Sequence, residues 1–513
     1  MAKPIPSAFS NVPSLDPIDH VVDSGLDDME SLDLRKIKTI QGFDAGVFFS
    51  YHAYPFGPEF ILHEPTFQVT DEIGPNAYLG YLEKLRAAYA GRTLIIAEVG
   101  LPSSHGPAQS AELGMPYGGL DEREQGEGTL RALRTITRAG MNGAFLFEVL
   151  DEWWRGARLV ERLELPANRR HLWYNAVSPE QNFGLIAVRP GLEEKHHEID
   201  GVGSDFPSLP NALQDASTLA PLDTHDATRT LRELTIDSDE GFLHLLLRVD
   251  SLDPDGKGAV DWEKTDYLVG IDTIDANRGD GCFDVDCKIK TERRVEFLLR
   301  IDTEYDVTLH VDEPYDLVGV SHGLRADWQR YHTEVNDNGE FNLMRIMTHD
   351  AFSYGGQELA PVRHQDVGRF RTGMESTTTN TNFWYSREHG TLEIRIPWTL
   401  LNVTDPSARM VVDDYVPGTK GPEAELQIRQ TPEIAVVIAA LGGTNEQEVK
   451  VVDTLPRAKK KGNSWIIPAA GAPTYTWATW DMNPRYRMKR KTSFGIVEQG
   501  LREIVPKSAY MGP

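Results

Sequence analysis

The pattern of apolar and polar positions divides the chain into two regions of different period. From position 42 onward, short apolar runs alternate with amphipathic stretches. Positions 45–51, Ala-Gly-Val-Phe-Phe-Ser-Tyr, form a continuous apolar run that predicts a buried strand. Positions 76–90 carry apolar residues at helical spacing behind Asn76, a residue type that caps helix N-termini. A second strand is predicted at 93–97, a helix at 121–139 with Asp121 as cap and Leu130, Leu133 and Ile136 on one face, and a third strand at 143–150. The order β-α-β-α-β predicts parallel strands joined by right-handed crossovers. Positions 1–41 are polar and acidic without sustained periodicity, which predicts an irregular tail with at most a short helix near 28–38.

Beyond about position 200 the period shortens. Positions 230–237 and 242–250 flank the turn Ser238-Asp239-Glu240-Gly241 and predict a hairpin. Further strands are predicted at 266–273, 295–301, 304–311, 391–396 and 433–440, joined by loops rich in Asp, Gly, Asn and Pro. Many short strands with turn signals predict an antiparallel β-sandwich, with 312–380 as the place for an irregular insertion or smaller strands. The last part holds a basic run at 457–461, read as a solvated loop, then Tyr475-Thr476-Trp477-Ala478-Thr479-Trp480 and a helix at 492–504. That aromatic segment and helix are expected to fold back over the first region. The organisation is therefore a tail (1–41), an α/β domain (42–198), a β-sandwich domain (199–455) and a C-terminal segment (456–513).

Composition narrows the partners. With 52 basic and 78 acidic residues among 513, the net charge of −26 repels nucleic-acid phosphates and anionic lipid. Neutral ligands such as sugars, or a metal cation, suit that balance. No apolar run approaches the ~18 residues of a membrane span. The first residues, Met-Ala-Lys-Pro-Ile-Pro-Ser-Ala-Phe-Ser, lack the apolar core of a secretory signal, so as written the chain reads as cytoplasmic. Cys282 and Cys287 are spaced to close a small loop, but one pair does not fix the compartment. Neither has His or further Cys around it at zinc spacing.

Candidate chemistry gathers where the predicted parallel strands end. His52 and Tyr54 follow the first strand, Glu98 the second, and Asp151, Glu152, Trp153 and Trp154 the third, with Glu148 just before them. Taken singly, His52 could be a satisfied core histidine, Glu98 a salt-bridged surface carboxylate and Trp153 a packing residue. Three successive strand ends of this kind point to a ligand site, because parallel α/β sheets bind ligands at their C-terminal edges.

At these residues the sequence resembles the last three β/α units of a clan A glycoside hydrolase, the retaining (β/α)8-barrel enzymes. His52-Ala53-Tyr54 is similar to the His-x-Tyr of the clan's sixth strand, 95–100 (Ile-Ile-Ala-Glu-Val-Gly) to the seventh with its nucleophilic Glu, and 147–154 to the eighth with its sugar-stacking Trp. The likeness extends from about 42 to 188, ending in Pro-Glu-Gln-Asn-Phe-Gly-Leu at 179–185. It implies a partial (β/α) barrel with Glu98 as nucleophile. Tyr54 or His52 would hold the Glu98 carboxylate, and Trp153 would offer a sugar platform. Glu148, Asp151, Glu152 and Trp154 would be further substrate-binding groups. The clan's acid/base Glu follows an Asn at the end of the fourth strand, and no Asn-Glu pair precedes His52 here. The only such pair is Asn445-Glu446, far downstream. The resemblance thus implies the C-terminal piece of a larger glycosidase-like, extracytoplasmic protein. A second chain, or a missing N-terminal half, would complete the barrel; the tail carboxylates Asp16, Asp19, Asp27, Asp28 and Glu30 have no spacing that argues for that role.

The second region, 200–455, resembles the family 9-like carbohydrate-binding sandwich through the hairpin at 230–250, the strand near 266–272 and Leu-Glu-Ile-Arg-Ile-Pro-Trp at 392–398. That likeness implies a polysaccharide ligand. Trp262, Trp328, Trp384 and Tyr385 are candidates to stack on sugar rings, whereas Trp398, directly after a buried strand, reads as core. Asp250, Asp253, Asp255, Asp261, Asp272, Asp275, Asp280, Asp284 and Asp286 form acidic loops that suit either solvation or a structural calcium ion, without EF-hand spacing. No other cofactor is expected. Two functions follow: a glycoside hydrolase-like protein that is incomplete as an autonomous enzyme, or a non-catalytic carbohydrate-binding protein with the barrel remnant as scaffold.

Overall fold

The computed structural model describes residues 39–42, 46–57, 60–105, 115–156, 164–193, 196–206, 212–215, 222, 227–253, 256–258, 260, 262, 266–316, 335–349, 352–354, 357–360, 363–375, 377–416, 426–442 and 450–504. The helix expected near 28–38, the tail carboxylates, Trp328, Asp255, Asp261 and the pair Asn445-Glu446 lie outside these residues.

The first region follows the predicted order. Strand β1 (Phe48–His52) leads to helix α1 (Ala77–Ala88), then β2 (Thr93–Val99), α2 (Glu122–Arg138) and β3 (Gly143–Leu146). All three strands are parallel, with β2 in the middle. Helix α1 starts because the Asn76 side chain accepts from the Leu79 N–H. The Asn76 amide also donates to Asp71 and Thr135, tying both helices together. Helix α2 opens on a reciprocal capping box between Asp121 and Glu124, which satisfies N–H groups that helix geometry leaves unpaired. Beneath it, Arg131 forms a buried ion pair with Asp71. Burial alone would raise the Asp71 carboxyl, but the Arg131 guanidinium and the Gly74 N–H outweigh it and hold Asp71 below the usual carboxylate range.

One face of this sheet packs on the helices through Phe49, Tyr51, Leu94 and Ile96. The opposite face carries Phe48, 62% exposed, and Phe145, 65% exposed. Among the described residues β1 and β3 each pair only with β2, so the sheet is not closed into a barrel. The third strand is also shorter than its predicted span, ending at Leu146, after which 147–154 turn away as loop.

The second region is built on two antiparallel sheets. One, of five strands, is ordered Phe383–Ser386, Thr391–Pro397, Phe242–Val249, Leu231–Ser238, Ala212–Asp215. The other is centred on Asp266–Asp272 and includes Phe297–Ile301, Val307–Asp312 and Ile434–Gly442. Leu245, Leu247 and Ile394 from the first meet Val269, Leu299 and Val436 from the second in one apolar core, a sandwich-like packing. Trp398 is wholly buried there, as its position after a strand predicted. The connection 312–380 contains small strands at Phe341–Leu343 and Ile346–His349. The basic run is not a loop: Lys459–Lys461 is a short exposed strand paired with Ser464–Ile467, whose three lysines keep their ammonium groups in water.

The C-terminal segment splits between the two regions. Helix Thr492–Ile504 lies against α2, where Gly126 and Gly500 allow close approach; a Cβ on Gly500 would fall 2.3 Å from Leu130. It covers the outer helical layer rather than the open strand edge. The aromatic segment goes instead to the β-rich region, where Trp477 stacks on Trp398. Strand Tyr486–Arg490 pairs with Ile186–Pro190 and stitches the regions together. Buried Lys491 reinforces that seam by donating to Asp151 at 2.7 Å and to Ser103 at 3.0 Å.

Candidate functional site at the parallel strand ends

Simple alternation would not place Glu98 in a site. Leu94 and Ile96 face the helices, so a regular strand would send Glu98 to the same buried side. The register shifts, however, between Tyr51 and His52 in the β1 pairing and between Ile96 and Val99 in the β3 pairing. Such irregularities re-aim a side chain. Here they bring His52 level with Glu98 and leave both half-buried at the sheet's C-terminal edge.

Glu98 Oε2 accepts the Tyr54 hydroxyl at 2.9 Å and lies 3.0 Å from His52 Nδ1. Burial, then the negative charge of Glu98, push the Tyr54 phenol far above its usual range, so it remains a hydrogen-bond donor to the carboxylate. Aromatic rings back this group. Tyr54 stacks on Phe56, Phe56 stacks on Tyr117 at 4.5 Å, and Phe183 touches Tyr54, Tyr117 and Phe147. The approach of the third strand's end requires Gly100, where a Cβ would sit 1.7 Å from the Phe147 carbonyl oxygen.

A second polar group lies beside these rings. Arg155 pairs with Glu152 and, at 3.5 Å, with Glu180, whose other oxygen accepts from the Tyr117 hydroxyl. The Arg155 guanidinium also lies over the Phe147 ring. Glu148, joined to Phe147 by a cis peptide bond, has one buried carboxyl oxygen without a hydrogen-bond partner among the described residues. Burial, then the charge of Glu152, push its carboxyl up to about 8. A carboxyl so poised is protonated at neutral pH and can donate a proton.

The other predicted residues take different places. Asp151 is only 4% exposed and faces the interior, held by Lys491 and, at 3.4 Å, by the Asn182 amide. Burial raises its carboxyl to about 6 against the pull of Lys491. It therefore anchors the strand end instead of presenting a carboxylate outward. Trp153 donates its indole N–H to the His171 carbonyl, stacks on Tyr486 and meets Trp154 edge to face; Trp154 is exposed.

In the β-rich region Trp262, Tyr385 and Trp384 come together, with ring centroids 5.5 and 5.1 Å apart in succession. Trp384 and Tyr385 border a cavity of about 510 Å³ together with Asp200, Asp253 and Arg387. The described acidic-loop residues are largely taken up internally: Asp250 pairs with Arg232, Asp272 with Arg293, and Asp280 and Asp284 accept backbone N–H groups. Among the described residues no group of three or more His, Cys, Asp or Glu side chains is arranged to hold a metal ion. Cys282 and Cys287 form a disulfide.

Sequence reading missed Tyr117, Arg155, Glu180 and Lys491. Tyr117 sits in an irregular segment and Glu180 in a 3-10 helix of four residues (Pro179–Asn182), both too short to show periodicity, and Lys491 reaches Asp151 across 340 positions. The one available signal was Glu180 in the segment 179–185 that ends Asn-Phe-Gly-Leu, where Gly184 is needed because a Cβ would fall 2.3 Å from the Asp151 nitrogen. No family model matches this chain, and no curated protein matches it.

Proposed function

We propose that the end of the parallel sheet is the nucleophile half of a retaining glycosidase site, carried on an incomplete (β/α) barrel, and that the substrate is a polysaccharide. The observation that carries this reading is the Glu98 carboxylate oxygen shared between Tyr54 Oη and His52 Nδ1 at a C-terminal strand end. The Tyr54 hydroxyl, with the His52 ring beside it, orients one oxygen and leaves the other for chemistry. In the proposed reaction a Glu98 oxygen bonds to the anomeric carbon as the glycosidic C–O bond breaks, and the leaving oxygen takes a proton. Water then cleaves the glycosyl ester and returns the carboxylate. Exposed Trp154 and half-buried Trp153 supply apolar faces for sugar rings. The clan's fourth-strand acid/base would come from further β/α units, on the same or another chain. Among the described carboxyls at this strand end, Glu148, half-buried and raised to about 8, suits leaving-group assistance.

The test is trapping. Incubation with 2-deoxy-2-fluoro aryl glycosides of gluco, galacto, manno and xylo configuration should give a covalent adduct on Glu98, read by peptide mass spectrometry. Good leaving groups need little acid assistance, so the missing units do not prevent the first step. Failure of all four to label Glu98, with no aryl glycoside cleaved, would remove the reading.

The second reading, a non-catalytic carbohydrate-binding protein, is favoured by the aromatic cavity at Trp384 and Tyr385. Retention on insoluble polysaccharide that survives Glu98→Ala and is lost in Trp384→Ala would support it.

A further inference from the structure

A cavity of about 680 Å³ lies where the Leu231–Ser238/Phe242–Val249 turn meets the aromatic segment before the C-terminal helix, and Glu98 does not line it. Its size falls within the range of small-molecule sites, ~300–1,000 Å³. Trp477 and Trp480 form one wall, and neither ring is free to swing. The Trp477 indole N–H donates to the Pro406 carbonyl and the Trp480 indole N–H to the Leu172 carbonyl, both at 2.7 Å. Trp477 is also stacked between Tyr475 and Trp398.

The lining also carries acidic residues, and these are fixed as well. The Tyr475 hydroxyl meets Ser238 Oγ at 2.7 Å and Asp237 Oδ1 at 3.3 Å. Asp237 Oδ2 accepts from His197 Nε2 at 3.3 Å, and Asp205 lies 3.8 Å from the other ring nitrogen. The His197 ring stacks on His244, which is bonded to Asp239 at 2.8 Å. Burial opposes charge on His197, but the Asp205 and Asp237 carboxylates prevail and raise it to about 10, so the lining keeps these carboxylates ionised around one imidazolium.

We propose that this cavity is a saccharide-binding site for neutral or amino-bearing sugar rings. The partly buried Trp480 indole, fixed by its N–H, matches the C–H face of a pyranose, with Trp477 buried behind as support, and fixed carboxylates accept from neighbouring hydroxyls or an ammonium group. Asp205, Asp237, Asp239 and Glu240 outnumber His197 and Arg485 around it, which disfavours uronic acids. The cavity also adjoins the strand-end aromatics. Arg485 lines it, and the next residue, Tyr486, stacks on Trp153; Glu240 lines it and accepts the Tyr174 N–H, whose ring lies beside Trp153. A glycan seated here could extend toward Trp153. The choice of a sugar over other polar ligands rests on the glycosidase reading.

The test is calorimetric titration of the full chain with a glucosamine tetramer, cellotetraose and trigalacturonate. At least one of the first two should bind at millimolar concentration or below, and trigalacturonate should not. Ala478→Trp, at an exposed position on the rim, should fill the cavity and weaken binding about tenfold or more, as should Asp237→Asn. Ala478→Trp leaves the core untouched, so it remains informative if Asp237→Asn does not fold. The inference is overturned if neither uncharged nor amino sugar binds, if trigalacturonate binds as well, or if Ala478→Trp changes nothing. Fluoroglycoside labelling is run on the same samples. Labelling of Glu98 without oligosaccharide binding sinks the cavity alone, and binding without labelling sinks the Glu98 reading alone.

Discussion

Two carboxyl sites, Glu375 in the β-rich region and Glu148 at the parallel strand ends, use charge in opposite ways. In the β-rich region Glu375 is fully buried, yet it faces Arg189, Arg395 and Arg487. Burial alone would raise its carboxyl, but Arg395 and the other two guanidinium groups hold it down to about 2. At the parallel strand ends Glu98 and Glu148 keep access to solvent, and Glu148 is left with an unpartnered oxygen and a raised carboxyl. Ionised, matched and enclosed groups hold structure; partly matched groups at an open edge are available for chemistry.

The comparison can be pressed hardest in the shared core. Trp398→Ala deletes a wholly buried ring stacked on Trp477, and should cost about 3–5 kcal/mol in urea unfolding. A loss below about 1 kcal/mol would mean that the two sheets do not depend on that contact.

Glu375→Gln should come next, at roughly 3 kcal/mol near pH 7, because it leaves buried Arg189 and Arg395 without their counter-charge and Arg487 with Glu198 alone. Glu375 has a depressed carboxyl, so its contribution is present above the ordinary glutamate value and is lost as pH falls toward about 2. The acid limb of a stability profile should therefore be shallower in Glu375→Gln than in the parent.

Glu148 has the opposite sign. Its raised carboxyl contributes fully below the ordinary glutamate value, and that share is lost as pH rises through about 8. Thermal melts from pH 5 to 9 should show Glu148→Gln gaining on the parent as pH rises. A constant gap would assign the carboxyl an ordinary titration.

The smallest effect is expected on the open sheet face. Phe145→Ser should change stability by less than about 0.5 kcal/mol, since the ring is largely exposed. A loss above about 1 kcal/mol would show that this face is covered in solution, as a completed barrel requires.

How much of this was legible depended on the range over which the signal acts. The caps at Asn76 and Asp121 lie within four residues of the N–H groups they satisfy, so composition revealed them directly. The buried strands Phe242–Val249 and Thr391–Pro397 announced themselves as apolar runs for the same local reason. The strand Ile186–Pro190 did not, because its pairing lies 300 residues away at Tyr486–Arg490 and its sequence ends in proline. In the candidate site, His52, Tyr54 and Glu98 were readable as strand ends, whereas Asp151 looked equivalent to them and is instead a buried anchor.

The sequence by itself determined the parallel order of the first region, the caps of both its helices, the apolar strands of the second and the chemical types available at each strand end. All of these follow from backbone preferences and side-chain periods acting over a few residues. Only the tertiary structure decided that register shifts turn Glu98 out of the helix-facing side toward His52, that Lys491 claims Asp151, and that Tyr117, Arg155 and Glu180 join the site. Those outcomes depend on which distant backbone reaches which strand end, and no local pattern encodes that meeting.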